Sequence, residues 1–439
     1  MHLSRFLISL ITGIVVLCSG TPVGANEENK PVLSLQEAIH IAITNNALIK
    51  EAIERQMAAL EEEKSAKADF FPKASAHYLY TGLTQEPITK TGSTETQIAH
   101  KNQYHWDVTL VQPLFTGFGL SSKHHMTKLG IEIKNEEKRQ ATLDVAQQVK
   151  LAYFTLLLSK KMLAVADEEV SALKAHERDA KKFYDHGLIP RNDLLKSQVA
   201  LAHAMQDRER ARANLQMALS HLNTLMDRDM NRETDVEDIA SIPETEFDLS
   251  GLVEEATVNR PVLKIVYLGI QTLQDNIRLA KSSYYPNVSV AGQYERNGDS
   301  LTASDNDFSN EYNTTVMLQM NWTFFEWGKK RADVSKACYN KQALSRKLKG
   351  IEDSVRLEIK DAFLNLQVAR KNITTANKSL GQAQENWRIT NLQYQKQIAT
   401  STDVLDARAF LTQAETNYYD SLYGYMISLA ELERAVGRM

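Results

Sequence analysis

The stretch VRLEIKDAFLNLQVARKNITTANKSLGQAQENWRITNLQY, residues 355–394, decides the fold. Apolar or small residues stand at Val355, Ile359, Ala362, Leu366, Ala369, Ile373, Ala376, Leu380, Ala383, Trp387, Thr390 and Tyr394. The steps alternate four and three without a slip, which is the heptad seam of a helix built to lie along another helix. Alanine recurs at one seam position, so a partner backbone can come close. All nine prolines lie at or before Pro286, and nothing interrupts the helix. Run from about Lys330 to Gln397, it is roughly 100 Å long at ~1.5 Å per residue, too long for a compact globule.

Subtracting 210 from these numbers gives a second seam from Val145 through Val149, Ala152 and Leu156 to Tyr184, with one charged member, Glu177. The same offset pairs Asp193 with Asp403 and Leu195, Leu201 and Leu222 with Leu405, Leu411 and Leu432. Ala66-Lys67-Ala68-Asp69-Phe70-Phe71-Pro72 returns as Ala280-Lys281-Ser282-Ser283-Tyr284-Tyr285-Pro286 at an offset of 214. A repeat this long is a duplicated domain-sized unit. The two offsets differ by a short insertion between Pro72 and Phe115. Each long helix stops at a break, Asp185 to Pro190 and Lys396 to Thr402, after which a second heptad run follows, clearest from Val404 to Val436. The reading is two long antiparallel hairpins, one per copy.

At the other end of each hairpin the period falls to two. Val316, Leu318, Met320 and Trp322 alternate with Met317, Gln319 and Asn321, and Trp106, Val108 and Leu110 alternate with His105, Asp107 and Thr109. Two more candidates, Ser75 to Thr81 and Val288 to Tyr294, follow Pro72 and Pro286. Segments of about ten residues with one apolar face and aromatics near their ends read as membrane-barrel strands. Val316, Leu318, Met320 and Trp322 are then assigned to lipid, Gln319 and Asn321 to the lumen, and the polar stretches Gln85 to Gln103 and Asn297 to Glu311 to loops. Four strands cannot close a barrel, since the smallest have about eight. An open edge in lipid leaves backbone groups unsatisfied at several kcal/mol each, so assembly is expected. The alternative is a soluble periplasmic coiled-coil scaffold without a barrel.

The chain therefore divides into a signal peptide at 1–25, a first repeat at 26–226, a linker at 227–250 and a second repeat at 251–439. The first repeat holds strands about 75–83 and 104–115 and helices about 121–186 and 191–226; the second holds strands about 287–296 and 312–325 and helices about 329–397 and 402–436. The signal peptide is read from Arg5, the apolar run Phe6 to Cys18 and the small-residue site Val23-Gly24-Ala25. Cys18 follows Val15-Val16-Leu17, a poor lipidation context. Loss of Arg5 takes the net charge from -4 to -5, which argues against nucleic acid. No nucleophile motif, metal-ligand spacing or phosphate loop is present, so no enzyme, cofactor or metal is expected. His105, His124 and His125 read as solvated side chains near a barrel rim, and Cys338 as a buried small hydrophobe.

The aromatic-aromatic-Pro strand entries, the strand exits Pro113-Leu114-Phe115-Thr116-Gly117 and Phe324-Phe325-Glu326-Trp327-Gly328, the second-unit start Asn259-Arg260-Pro261-Val262-Leu263, and the tips Gly187-Leu188-Ile189 and Thr402-Asp403-Val404-Leu405-Asp406-Ala407 resemble the TolC-like outer-membrane efflux proteins. The likeness runs from about Leu33 to Gly437. It implies a mainly α chain with membrane β: a homotrimer with four strands per protomer in one 12-stranded barrel, continued by a periplasmic tunnel of long antiparallel helical hairpins. Such channels are outer-membrane exit ducts for tripartite efflux or type I secretion, working with a periplasmic adaptor and an inner-membrane pump. By resemblance Asp403 and Asp406 match acidic rings at the tunnel entrance, Asp193 and Tyr394 a polar link that holds it closed, and Gly187, Leu188, Ile189, Gln397 and Ile398 the adaptor-docking tip. Asp403 also follows Thr400 by three residues, the spacing of a helix cap. Two departures from the family stand out: Ala399 replaces a gating arginine and Gln397 a groove glycine.

Overall fold

The computed structural model describes residues 32–239 and 246–439. The expected signal peptide lies outside the described residues, as do residues 240–245 of the linker. The elements are α1 (Leu35–Asn45), α2 (Ala47–Ala68), β1 (Lys73–Gly82), β2 (Ile88–Thr91), β3 (Thr94–Gln97), β4 (Asn102–Thr116), α3 (Gly119–Asp185), α4 (Arg191–Leu225), α5 (Leu249–Asn259), α6 (Pro261–Ser282), β5 (Asn287–Gly298), β6 (Tyr312–Asn321), α7 (Lys329–Gln395) and α8 (Ser401–Val436).

The two heptad seams become α3 and α7, each 67 residues long. Every apolar seam member from Val355 to Tyr394 is buried or half-buried. So is Glu177, which accepts a hydrogen bond from Gln198 Nε2 at 3.3 Å. Lower down, α3 packs on α4 and α8, and α7 on α8; higher up, α3 packs on α2 and α6, and α6 on α7. The long helices thus run through two layers and change partners halfway. There a belt forms: Leu33 bridges Val236, and the Tyr153 hydroxyl lies 2.9 Å from Leu33 O and 2.7 Å from Glu237 O. Burial pushes the Tyr153 phenol up to about 12, so it stays protonated and able to donate. Lys161 and the Tyr423 hydroxyl, at 2.7 and 2.8 Å, hold Asp238 from α3 and α8.

The duplication extends to the caps. Asn46, at the start of α2, donates from Nδ2 to Leu225 O at the end of α4, 2.9 Å away. Arg260, at the start of α6, donates from Nη1 to Arg434 O and Ala435 O at the end of α8, each at 3.2 Å. Both satisfy carbonyls that a helix terminus leaves without partners. Arg260 is buried and also pairs with Glu358 of α7 at 2.7 Å, while Arg434 pairs with Glu358 and with Asp144 of α3.

The strand-to-helix turns hold two successive left-handed residues in each copy: Gly117 and Phe118 at φ 58° and 67°, then Trp327 and Gly328 at 46° and 84°. At the far end α3 and α7 close with the same motif. Leu188 N donates to Phe183 O and Gly187 N to Tyr184 O; Ile398 N donates to Gln393 O and Gln397 N to Tyr394 O. This is a Schellman end whose left-handed residue is Gly187 (φ 71°) in one copy and Gln397 (φ 61°) in the other.

Some expectations need correction. The polar stretch Gln85 to Gln103 is not all loop, since β2 and β3 pair within it as a small antiparallel ribbon. β6 ends at Asn321, before the expected 325, so Trp322 lies just past the strand and its Nε1 donates to Tyr284 O at 3.2 Å. The helices α1, α2, α5 and α6 were not singled out in the sequence. Cys338 is half-buried rather than buried.

Two outcomes are expected. Arg260→Ala breaks a buried ion pair and uncaps α8, and should cost about 3 to 5 kcal/mol in denaturant unfolding, well above Asn46→Ala at about 1 kcal/mol. Gln397→Gly relieves a left-handed non-glycine residue and should stabilise the fold by up to about 1 kcal/mol, whereas Gly187→Ala should destabilise it. Stabilisation by Gly187→Ala, or destabilisation by Gln397→Gly, would contradict the shared left-handed turn geometry.

Candidate functional site

Two regions carry chemistry, the sheet and the far tip of the hairpins. The sheet is antiparallel in the order β1-β4-β5-β6, with one edge of β1 and one of β6 unpaired. Residues directly opposite share a face, so the register sorts the side chains. Trp106 pairs with Tyr78 and Arg296, Val108 with Tyr294, Leu110 with Gly292, and Gly292 and Val290 with Val316 and Leu318. That face is mostly apolar, with Arg296 at its loop end, where aromatics stand on all four strands: Tyr80 meets Tyr104 at 4.9 Å, Trp106 meets Tyr294 at 5.5 Å, and Tyr294 stacks on Tyr312 at 6.3 Å. Met320, opposite Val288, belongs to the same face. Val316 and Leu318 are 77% and 72% exposed, so none of the described residues covers them.

The opposite face holds His77, His105, Asp107, Thr109, Gln293, Glu295, Asn297 and Gln319. His105 is not a solvated rim residue: its Nδ1 lies 2.7 Å from Asn297 Oδ1 and its Nε2 3.4 Å from Asp107. Asp107 is buried among His77, His105 and the Thr109 hydroxyl, which donates to it at 2.8 Å. His124 pairs with Glu63, and His125 with the buried Asp275, at the junction of sheet and helices. All three histidines are engaged: His124 and His125 each face a carboxylate from another element, and His105 the Asn297 amide of β5 and the Asp107 carboxylate of its own strand. Among the described residues no group of three or more His, Cys, Asp or Glu is arranged to hold a metal, and no helix is long and apolar enough to cross a membrane.

At the tip, Asp403 is the third helical residue of α8 and forms a capping box. Its Oδ2 accepts from Thr400 N at 2.8 Å and from Thr400 Oγ1 at 2.7 Å, and its own N–H donates to Thr400 Oγ1 at 3.2 Å. The Thr400 side chain, then its backbone N–H, holds the Asp403 carboxyl below the usual range. Asp406 stands one turn on, exposed. Asp193 is engaged by Lys196 at 3.7 Å, and no hydrogen bond joins it to Tyr394 among the described residues. Tyr394 is buried, unlike its counterpart Tyr184, with His176 and Phe183 of α3 packed on its ring; burial raises its phenol. Leu188 and Ile398 are 53% and 72% exposed on their matching turns, while Ile189 is half-buried.

Sequence reasoning missed what packs on Tyr394. The imidazole of His176 lies 4.7 Å from its ring, centre to centre, and 2.9 Å from Ser401 Oγ. Further up, the buried Arg408 stacks on Trp387 at 5.8 Å and lies 3.5 Å from Glu415. Burial raises the carboxyls of Glu169 and Glu415 beside it. Single residues on an apolar face carry no motif, so no spacing announced either cluster.

The model of the family "Outer membrane efflux protein" matches residues 38–227 and 252–438. The outer membrane protein TolC of Vibrio cholerae is 21% identical over 338 residues, covering 74% of this chain and 77% of its own length. The alkaline protease secretion protein AprF of Pseudomonas aeruginosa is 19% identical over 424 residues, covering 93% and 85%. Among solved structures, the CmeC outer membrane channel of Campylobacter jejuni superposes with a TM-score of 0.80 at 15% identity, covering 97% of this chain and 94% of that one. A scaffold without a barrel is set aside by the amphipathic sheet and by these likenesses together. The family match spans both copies of the repeat, its strands and its hairpins, and the chain belongs to the outer membrane efflux protein family.

Proposed function

We propose that this outer-membrane efflux channel works as a homotrimer, in which three open sheets close one barrel of twelve strands and the hairpins continue it as a tunnel of twelve helices. The observation that carries the proposal is the sheet: an apolar face with an aromatic band, a polar face, and two unpaired edges. In lipid such edges cost several kcal/mol per unsatisfied group, and closure with further copies removes the cost. A division into repeats at 26–226 and 251–439 about a segment at 227–250 is supported by the break in the family match between residues 227 and 252.

In this reading the channel is the passive exit duct of a tripartite efflux or type I secretion system, fed by an inner-membrane pump through a periplasmic adaptor. The adaptor docks at the tip on the exposed turns Gly187-Leu188-Ile189 and Gln397-Ile398. The matching Schellman geometry, with an apolar residue exposed on each turn, supports a repeated docking groove. The AprF likeness supports protein cargo as well as small molecules. Asp403 and Asp406 form the acidic entrance ring, with Asp403 doubling as the α8 cap, and Asp193 and Tyr394 restrain the closed tip.

Light scattering in detergent should give a trimer. Leu318→Arg should cost roughly 2 to 4 kcal/mol near the bilayer midplane, while Gln319→Arg should leave assembly intact and change conductance. A monomeric mass, or equal damage from both substitutions, would contradict the barrel. In planar bilayers the channel should prefer cations and be blocked by multivalent cations from the tip side. The double variant Asp403→Ala, Asp406→Ala should lose that block; if selectivity and block persist, the aspartates are caps and nothing more.

A further inference from the structure

We propose that His176 is a proton-operated latch across the seam between the two hairpins of one protomer, an inference that rests on the channel reading above. Uncharged, the imidazole ties α3 to the first turn of α8; on gaining a proton it releases that turn and loosens the tip.

The placement supports this. His176 is 3% exposed, and its Nε2 is 2.9 Å from Ser401 Oγ. Ser401 is the first helical residue of α8, directly after the Thr400 cap, and is itself 1% exposed. The ring also packs against Tyr394 of α7, which in turn meets Phe183 of α3 edge-on at 5.4 Å. One imidazole therefore touches both helices of the second hairpin from the first.

Its chemistry makes the contact conditional on charge. Nδ1 is buried and has no hydrogen-bond partner among the described residues. A neutral imidazole, in either tautomer, uses one nitrogen on Ser401. An imidazolium carries two N–H donors, so in the docked tip it would bury a charge and leave one donor unsatisfied. The groups around it do not reverse this. On α3, Asp179 favours the charged form. On α4, Asp193 is engaged by Lys196, which also donates to Thr402 at 3.2 Å. On α7, Tyr394 presents a neutral phenol, and on α8 the Asp403 carboxylate is turned to its cap. Burial outweighs Asp179 and holds the imidazole below its ordinary value of 6.5.

The sign follows. A released turn lets His176 take a proton near its ordinary value, and the docked turn resists it, so the released state binds more protons. The docked state is at full strength above about pH 6.5, weakens as pH falls from there toward the lowered value, and weakens no further below it. The second copy has no equivalent, because Asn386 and Arg191 stand at the positions related by the repeat offset.

Conductance of the wild-type channel should rise roughly threefold or more when the tip side is taken from about pH 7.5 to about pH 5.5, a window spanning the ordinary histidine value. His176→Gln, which keeps a hydrogen-bonding side chain but cannot titrate, should abolish that rise. Ser401→Ala should raise conductance already at pH 7.5 and retain a pH response. In parallel, amide hydrogen exchange in the first two turns of α8, corrected for intrinsic rates, should lose protection at the lower pH in the wild type and not in His176→Gln. This second measurement needs no conduction. If no channel forms, the functional reading fails while exchange still judges the latch. A flat wild-type exchange profile, or a pH response that survives in His176→Gln and so belongs to Glu169 and Glu415, overturns it.

Discussion

A helix of 67 residues has more apolar edge than one neighbour half its length can cover, and this constraint organises the molecule. α3 and α7 must find partners along their whole lengths. Below the belt the partners are α4 and α8, of 35 and 36 residues; above it they are α2 and α6, of 22 each. The helices that stop halfway leave carbonyls and amides without partners, and those ends are where the polar chemistry of the protein concentrates. Asn46 and Arg260 are the plainest instances, each reaching from the start of an upper helix to the end of a lower one.

The belt is therefore a joint held by charge as much as by packing. Arg260 and Arg434 converge on Glu358, Arg434 also on Asp144, and Lys150 pairs with Glu433 at 2.6 Å. These contacts link α3, α6, α7 and α8 at one level. Partly buried ion pairs of this kind add little net stability over an apolar substitute, but losing the buried partner Arg260 is costly, so they favour one arrangement of the helices over near alternatives. At the tip, among the described residues, no ion pair joins α3 to α8. The link there is an imidazole and a serine hydroxyl at 2.9 Å, without the ion pairs of the belt.

Much of this was legible because long-period patterns are redundant. A heptad seam of twelve positions survives one exception such as Glu177, and an alternating strand such as Val316 to Asn321 declares its two faces even before its neighbours are known. The duplication doubled each signal. What stayed hidden was set by single contacts. β2 and β3 are four residues each, too short for a period to show. α2 has a weakly amphipathic sequence and is helical because α3 needs a partner. Asp403 carried two readings, entrance ring and cap, and only the structure shows the Thr400 contacts of the cap; His124 and His125 looked solvated because their carboxylate partners lie 61 and 150 residues away.

The turn into each long helix also says something about how much sequence the fold requires. Both copies bend through two left-handed residues, yet glycine comes first in one, at Gly117, and second in the other, at Gly328, with Phe118 and Trp327 bearing the strain beside them. In the first copy a side chain at Gly117 would collide with Ser282 O, so glycine cannot change places there; in the second, nothing stands near Gly328. What the two halves hold in common is a path of the backbone, and the spelling of that path is free wherever space allows. A chain that tolerates two spellings of one bend within itself can drift to 15% identity with a CmeC channel and still trace nearly the same curve.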